Sequence, residues 1–328
     1  MKRLKNLAMI AMTAILFASC EDTFDELITD FQCVDVLEGH RGSVNSVCWS
    51  PDGKYIASGS YDKDIIIWNA SNGQKVRTLY EYYESVTDVA WSPDGNYLAC
   101  RYYGYYGNKN IILYNPNNGT LLDTLKGDGY TIYSLAWSPD GEYLASGDGA
   151  GHIVLWNPDT KEKVKTLEGD WTSIYSLAWS PDGRYLASGL GHDVVVWDVN
   201  SGQKLKTLKG HSYDVNSVCW SPDGKYLASG SGDATLIIWN VNNGEREQIM
   251  SHGSYNAVNS VAWSPDGKYL ASGCSNSIIT LWDSDTGENL QELEVTDGGA
   301  ILSLSWSPNG KYLLSGSGDG SICIWSED

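Results

Sequence analysis

The chain has 328 residues, of which 42% are hydrophobic and 19% are charged, and this balance excludes a disordered acidic segment. Its 41 Asp and Glu residues against 22 Lys and Arg give a formal net charge of −19, so the basic surface that nucleic-acid binding requires is missing. The aromatic composition is skewed towards 14 Trp and 21 Tyr against 3 Phe.

The first 19 residues have the pattern of an export signal. The basic segment KRLK at residues 2–5 precedes an apolar stretch at residues 7–18, which is too short to span a membrane. The stretch ends in FASC at residues 17–20, and it resembles the signal of bacterial lipoproteins, in which small residues precede a cysteine that becomes acylated. This resemblance implies lipidation of Cys20 and a location in the bacterial cell envelope, with the outer membrane as the expected site. The alternative is an ordinary secretory signal in which Cys20 is incidental.

Residues 20–33 are predicted to be a lipid-anchored acidic tether. The segment 21–32 contains five acidic residues and should be solvated. An acidic run directly after a lipidated cysteine resembles the surface-export signal of some bacterial lipoproteins, so exposure on the cell surface is a further hypothesis.

One unit is repeated through the rest of the chain. The segment WSPDGKY at Trp49 returns with small changes at intervals of 41 to 46 residues, beginning at Trp91, Trp137, Trp179, Trp220, Trp263 and Trp306. A second aromatic column follows in every unit, at Trp68, Tyr114, Trp156, Trp197, Trp239, Trp282 and Trp325. Chance does not produce this periodicity.

Each unit is predicted to contain four short strands, which we label a to d. In the first unit, residues 44–49 alternate between apolar and small polar side chains, and an SPDG turn leads to a second strand at 55–60. Residues 65–68 are β-branched enough for a fully buried strand, and the polar segment 74–79 fits an outer edge. Seven such four-stranded sheets predict an all-β propeller.

The units resemble the WD-repeat family. Gly39-His40 and Gly210-His211 match the Gly-His pair of that family, and the third strands end in Trp followed by Asn or Asp. The resemblance covers residues 34–326 and implies a seven-bladed WD-repeat β-propeller. The last unit has no fourth strand after Trp325, whereas residues 34–40 resemble the fourth strand at 204–211. We therefore expect the N-terminal strand to close the last blade.

Two units carry the complete structural tetrad of the family, and the resemblance implies that their histidines are buried structural groups rather than metal ligands or bases. The tetrads are His40, Ser58, Asp62 and Trp68, and His211, Ser229, Asp233 and Trp239. In the fourth unit Asp170 and His192 are exchanged, so a hydrogen bond between them can still form. In the third unit Asp128 and Ala150 exclude one.

The tyrosines outside the second aromatic column and the SPDG or SPNG turns, together with Trp171, fall in d–a or b–c segments or at the start of strand a, which the fold places at one end of the propeller. Such side chains offer large contact areas at a small entropic cost. We predict a partner-binding surface that includes Tyr82, Tyr83, Tyr102, Tyr103, Tyr105, Tyr106, Tyr130, Trp171, Tyr213 and Tyr255. The alternative is that several of these rings pave the propeller or cap its channel, as Tyr133 and Tyr175 would.

The sequence contains no nucleophile elbow, HExxH motif or phosphate loop, and its five histidines have no metal-ligand spacing. The segment DSDTGE at 283–288 is weakly similar to a calcium loop but occupies the same turn as NASNGQ at 69–74. We therefore predict no catalytic residue, no cofactor and no metal. The cysteines other than Cys20 do not suggest a disulfide framework.

The predicted function is a non-catalytic protein–protein interaction scaffold, lipid-anchored in a bacterial envelope and binding a partner through the aromatic loop end. Acidic residues among the aromatic ones favour a basic peptide segment as the partner. The alternatives are a glycan-binding surface lipoprotein and a structural envelope protein. We expect a monomer that contacts the membrane only through its lipid.

Overall fold

The structure, a computed structural model, describes residues 30–79, 84–103, 109–253, 255–295 and 298–327. Every regular element in these ranges is a β-strand, and the 28 strands form seven antiparallel sheets of four strands each. Strand a of each sheet packs against strand a of the next, so the sheets are the blades of a closed propeller. The predicted fold class is confirmed.

The strands follow the order a, b, c, d within each blade. Blade 1 comprises β2 (Val44–Trp49), β3 (Tyr55–Ser60), β4 (Ile65–Asn69) and β5 (Lys75–Leu79). Blade 2 comprises β6 (Ser85–Trp91), β7 (Leu98–Tyr103), β8 (Asn110–Tyr114) and β9 (Leu121–Lys126). Blade 3 comprises β10 (Ile132–Trp137), β11 (Leu144–Asp148), β12 (Ile153–Trp156) and β13 (Lys163–Leu167). Blade 4 comprises β14 (Ile174–Trp179), β15 (Tyr185–Leu190), β16 (Asp193–Asp198) and β17 (Lys204–Lys209).

The last three blades repeat this arrangement. Blade 5 comprises β18 (Val215–Trp220), β19 (Tyr226–Ser231), β20 (Thr235–Asn240) and β21 (Arg246–Ser251). Blade 6 comprises β22 (Val258–Trp263), β23 (Tyr269–Cys274), β24 (Ile278–Asp283) and β25 (Asn289–Glu294). Blade 7 comprises β26 (Ile301–Trp306), β27 (Tyr312–Ser317), β28 (Ile322–Glu327) and the N-terminal β1 (Phe31–Leu37).

The N-terminal strand closes the ring, as predicted. Strand β1 pairs antiparallel with β28, from Phe31 opposite Glu327 to Leu37 opposite Ile322, with an irregularity between Cys33 and Asp35. The strand begins at Phe31 rather than at residue 34, because the Phe31 side chain is only 4% exposed and packs into the core shared by blades 6 and 7.

The two tryptophan columns have different partners. In six blades the second-column indole Nε1–H donates to a strand-b serine at 2.7–2.9 Å: Trp68 to Ser58, Trp156 to Ser146, Trp197 to Ser188, Trp239 to Ser229, Trp282 to Ser272 and Trp325 to Ser315. The first-column indole at five junctions donates instead to a strand-a carbonyl of the preceding blade at 3.0–3.1 Å, and these residues are Trp49, Trp137, Trp179, Trp220 and Trp306. One column therefore ties strands within a blade, and the other ties neighbouring blades together.

A second set of hydrogen bonds joins the blades around the channel. At six of the seven junctions, a strand-a side chain accepts from a backbone N–H of the next strand a at 3.0–3.2 Å. The acceptor is serine at five of these junctions and Asp88 at the junction of blades 2 and 3, where Leu135 N–H donates.

That junction also contains the residue that departs most from the repeat. Six blades have Gly near the end of strand b, and at Gly59 an added Cβ would lie 2.5 Å from Val86 Cγ1 of the next blade. Blade 2 has Arg101 at this position, paired across the strands with Asp88. The Arg101 Nη1 donates to the Ile132 carbonyl of blade 3 at 3.1 Å. Burial lowers the pKa of the guanidinium, although the negative charge of Asp88 acts to raise it.

Candidate interaction surface

Antiparallel blades place the d–a and b–c loops at one end of the propeller, which we call the aromatic end. Of the predicted binding residues that the structure describes there, Tyr103, Tyr130, Trp171, Tyr213 and Tyr255 are exposed, with Trp171 at 73% and Tyr255 at 98%. The predicted residues Tyr82, Tyr83, Tyr105 and Tyr106 lie outside the described residues, and so does the predicted lipidation site Cys20.

Tyr102 does not belong to this surface, and we correct the prediction accordingly. Its side chain is 1% exposed, and its hydroxyl lies 3.0 Å from the hydroxyl of Tyr114 inside blade 2. In this blade Cys100 stands where the others have serine, and Tyr114 stands where the others have tryptophan. The buried tyrosine pair therefore occupies the place of the Trp–Ser hydrogen bond.

Three rings from two neighbouring loops and one b–c turn contact one another at the aromatic end. The Tyr130 ring lies edge-on to Trp171, with centroids 5.9 Å apart, and 5.6 Å from the ring of His152. His152 and Trp171 are 6.0 Å apart, so the three side chains form a closed triangle that we call the aromatic triad.

Polar contacts and backbone geometry hold the triad in place. His152 Nδ1 lies 3.3 Å from Asp148 Oδ2 and its Nε2 lies 3.1 Å from Glu168 Oε2. Trp171 has φ of +62°, a left-handed conformation that non-glycine residues adopt at a cost of about 1 kcal/mol or more. Tyr255, in a corresponding loop, has φ of +71°. Of the predicted aromatic residues that the structure describes, the two most exposed are thus both presented by a strained backbone.

A second aromatic pair lies on the neighbouring blade. The His192 ring stacks on Tyr213 with centroids 6.4 Å apart, and its Nε2 is 3.6 Å from Asp214 Oδ1. The expected pairing of His192 with Asp170 is therefore not present, because Asp170 binds Lys204 instead.

Two lysines neutralise part of the acidic charge at this end. Each binds an aspartate with its ammonium group while lying over a second-column indole, at 5.3 Å for Lys163 and 5.1 Å for Lys204. The pairs are Lys163 with Asp128 over Trp156, and Lys204 with Asp170 over Trp197. In both pairs the carboxylate is solvent-exposed, so each contributes little to stability.

Tyr133 and Tyr175 form a different kind of contact. They occupy equivalent positions at the start of strand a in blades 3 and 4, and their rings lie edge to face with centroids 5.3 Å apart. The Arg101 guanidinium lies 6.0 Å from the Tyr133 ring centroid. This arrangement supports the alternative interpretation for these two residues, in which they pave the ring.

Both predicted tetrads form closed hydrogen-bond chains. His40 Nδ1 lies 3.0 Å from the Asp62 carboxylate, and because a carboxylate only accepts, Nδ1 carries the proton. Nε2 then accepts from the Ser58 hydroxyl at 2.7 Å, which in turn accepts from Trp68. Burial lowers the pKa of His40, against the opposing effect of Asp62, so the ring is neutral at pH 7.

The tetrad of His211, Ser229, Asp233 and Trp239 has the same geometry, with 3.1 Å from Nδ1 to Asp233 and 2.8 Å from Nε2 to Ser229. Burial lowers the pKa of His211 as well. The polar side-chain atoms of each tetrad form hydrogen bonds with one another. This arrangement supports the structural role that the sequence predicts.

A third buried histidine, His252, was not predicted from the sequence. Its Nε2 lies 2.9 Å from the Ser272 hydroxyl, which also accepts from Trp282. Within the part of the chain that the structure describes, no carboxylate bonds to Nδ1, and Thr280 Oγ1 is 3.4 Å away. Burial lowers the pKa of His252 to about 4. The order is His252-Gly253 rather than Gly-His, so the family pattern did not identify it.

Among the described residues, no group of three or more His, Cys, Asp or Glu side chains is placed to hold a metal ion. A helix long and apolar enough to cross a membrane is likewise not found in those ranges.

Comparisons with known proteins agree with the repeat architecture. The profile of the family described as "WD domain, G-beta repeat" matches residues 31–69, and that described as "IFT122 first beta-propeller" matches residues 173–328. A third profile, "Eukaryotic translation initiation factor eIF2A", matches residues 84–192.

Curated relatives match over short segments. Protein HIRA of Dictyostelium discoideum is 52% identical over 42 residues, which is 13% of this chain and 4% of the relative. A component of chromatin assembly factor 1 from Gallus gallus is 45% identical over 49 residues, 15% of this chain and 9% of the relative. The beta chain of a guanine nucleotide-binding protein from Oryza sativa subsp. indica is 41% identical over 51 residues, 16% of this chain and 13% of the relative. The matches span a small part of each relative, about the length of one repeat, and together with the seven blades they give this chain the fold of a WD-repeat β-propeller.

Proposed function

We propose that this protein is a non-catalytic protein-interaction scaffold that binds a partner protein through the aromatic end of its propeller. The observation that carries the proposal is the aromatic triad, in which an exposed tryptophan is fixed by two neighbouring rings and by a strained backbone. Rigid, exposed aromatic side chains are the usual energetic centres of protein interfaces. Two of the relatives named above are components of larger protein assemblies, which supports an interaction role.

The charge around the triad favours a basic segment in the partner. Glu168 and Asp214 are exposed carboxylates beside the triad and the His192–Tyr213 pair. The whole chain has a formal net charge of −19, so its long-range field attracts cationic partners.

The anchoring part of the proposal rests on the N-terminal sequence. Acylation of Cys20 would hold the propeller on a bacterial envelope, at the outer membrane and with the propeller on the cell surface. Metabolic labelling with a radioactive fatty acid tests this directly, because the label should be lost in Cys20→Ala and kept in Cys33→Ala. Equal labelling of both variants would refute acylation at Cys20. Protease treatment of whole cells tests the surface location, which fails if the propeller stays intact.

The binding part is tested by combining Tyr130→Ala with Trp171→Ala. Partners are crosslinked in intact cells and quantified by mass spectrometry for the wild-type protein, this double variant and a control, Val164→Ala, whose exposed side chain lies on the outer strand of blade 3. A specific partner should be reduced at least tenfold in the double variant and unchanged in the control. Unchanged recovery in the double variant refutes the proposal and favours a structural envelope role. A glycan-array signal that depends on Trp171 would instead favour the glycan-binding alternative.

A further inference from the structure

A cavity of about 580 Å³ opens between blades 5 and 6 at the end of the propeller opposite the aromatic end. Tyr226 and Gln248 of blade 5 line one side, and Trp263 and Asp285 of blade 6 line the other. The cavity lies where the a–b and c–d turns of neighbouring blades meet, far from the aromatic triad.

The tryptophan of this junction departs from the repeat in two ways. Trp263 Nε1–H donates to Gly267 O of its own turn at 3.2 Å, whereas five other first-column tryptophans donate to the preceding blade. At five of the seven junctions a tyrosine of one blade stacks on the tryptophan of the next, with centroids 5.9–6.5 Å apart. Tyr226 and Trp263, both within the described residues, form no such stack. The indole face that neighbouring junctions cover is therefore open to the cavity.

At the next junction a phenylalanine packs beside the stacked tyrosine and tryptophan. Between blades 6 and 7, the ring of Phe31 lies edge-on to Trp306 and Tyr269, with centroids 5.7 and 5.9 Å away. Phe31 N–H donates to Gln291 Oε1 at 2.9 Å, and Gln291 Nε2–H donates to Phe31 O at 2.9 Å. An aromatic residue of an extended strand thus satisfies both atoms of the glutamine and covers the tryptophan.

Strand register makes the two junctions equivalent. The second-column tryptophan pairs with Asn289 in blade 6 and with Cys33 in blade 7. Two residues before these positions lie Gly287 and Phe31, which therefore correspond to each other. Gln248 corresponds to Gln291, and its Nε2–H donates to Asp285 O at 2.7 Å. Its Oε1, however, is buried and has no donor among the described residues. Gly287 has no side chain to take the place of the Phe31 ring, and its backbone N–H donates to Asp283 O at 2.9 Å rather than to Gln248 Oε1. The ring and the donor of the next junction are therefore both missing here.

We propose that this cavity binds an aromatic side chain of an extended peptide segment from a partner protein. The ring covers Trp263 edge-on, as Phe31 covers Trp306, and an N–H of the peptide donates to Gln248 Oε1.

The charges around the cavity specify the flanking residues of that peptide. The lining contains four carboxylates against one lysine: Asp223, Glu247, Asp266 and Asp285, with Lys268. A basic residue beside the aromatic one is therefore attracted, and an acidic one is repelled. The chain's own Phe24 lies in the acidic sequence EDTFDE at residues 21–26, so charge disfavours this segment as the occupant and favours a separate partner.

The test uses protein labelled with 5-fluorotryptophan. The fluorine resonance of Trp263 is the one that disappears in the Trp263→Phe variant. The probes are the peptides acetyl-Arg-Phe-Arg-amide, its Phe-to-Ala counterpart, and acetyl-Asp-Phe-Asp-amide. We expect only the basic phenylalanine peptide to shift the Trp263 resonance in a saturable way. The affinity of this peptide should fall at least tenfold for the Gln248→Lys variant. The substitution removes the acceptor but keeps a donor, because Lys206, at the equivalent position of the preceding junction, donates to Asn242 O.

The matched control is Gln291→Lys at the junction that Phe31 already fills, and it should leave peptide affinity unchanged. Circular dichroism of both variants checks that they are folded. The proposal is overturned if the basic phenylalanine peptide does not shift the Trp263 resonance, or if the alanine peptide binds equally well. Tighter binding of the acidic peptide would overturn it in favour of the chain's own N-terminal segment. Replacing Trp171 at the aromatic end should have no effect on this site, so this result is independent of the proposed function.

Discussion

Truncating Phe31 should weaken the closure of the propeller. The side chain is almost fully buried and contacts the rings of Tyr269 and Trp306 in an edge-to-face arrangement. Phe-to-Ala substitutions in protein cores cost about 3–5 kcal/mol, and an aromatic pair adds about 0.5–1.5 kcal/mol beyond the buried area. The bonds to Gln291 involve only the backbone of Phe31 and should survive. We therefore expect Phe31→Ala to lower the free energy of unfolding by about 4 kcal/mol.

Equilibrium unfolding in urea, followed by tryptophan fluorescence and by circular dichroism, measures this change. The control is Val36→Ala in the same strand, because Val36 is 45% exposed and its loss should cost no more than about 0.5 kcal/mol. If both variants unfold at the midpoint of the wild-type protein, Phe31 does not hold the ring closed and our account of the N-terminal strand is wrong.

Three further predictions concern buried polar groups. His252 has a folded pKa of about 4 against about 6.5 when unfolded, so stability is unaffected above pH 6.5 and falls by up to about 3 kcal/mol as the pH drops to 4. Urea unfolding at pH 7 and pH 4.5 should show this loss in the wild-type protein and a smaller one in His252→Gln; identical losses would contradict it. Ser58→Ala leaves Trp68 Nε1–H and His40 Nε2 without partners and should cost about 2–4 kcal/mol, whereas Ser71→Ala in an exposed turn should be nearly neutral by thermal unfolding. Burial raises the pKa of the Cys48 and Cys219 thiols to about 12, so a maleimide at pH 8 should label exposed Cys33 rapidly and those two only after unfolding, as peptide mass mapping would show.

The repeat made most of the fold predictable. The SPDG turn forms as expected, with Gly53 at φ of +68° and Tyr55 N–H bound to Ser50 Oγ at 2.9 Å. Strands a and b of blade 1 have the predicted bounds, since a seven-fold recurrence of turn and aromatic residues fixes the register of every sheet. Closure by the N-terminal strand followed from the need to pair two sheet edges.

The departures occur where one blade differs from the other six. Tyr102 was predicted to be exposed because it lies in a tyrosine-rich segment, but Cys100 and Tyr114 alter the interior of blade 2 and draw it inside. The aromatic triad required knowledge of loop conformations, which no periodicity specifies. Phe31 was assigned to the tether because its contacts come from residues about 240 to 275 positions away in sequence.

The pairing of β1 with β28 gives assembly of the ring a fixed order in time. Among the described strands β1 is the first in the chain and β28 is the last, so a ribosome releases them far apart in time and blade 7 stays incomplete until β28 has been made. The entropy of bringing such distant segments together grows only slowly with their separation, so the delay comes from synthesis rather than from a large thermodynamic penalty. Blades 1 to 6 are local and complete in sequence, and they should form before the last one. The open ring is therefore the species that chaperones and proteases would meet, and its lifetime sets how much of the newly made protein reaches the closed state.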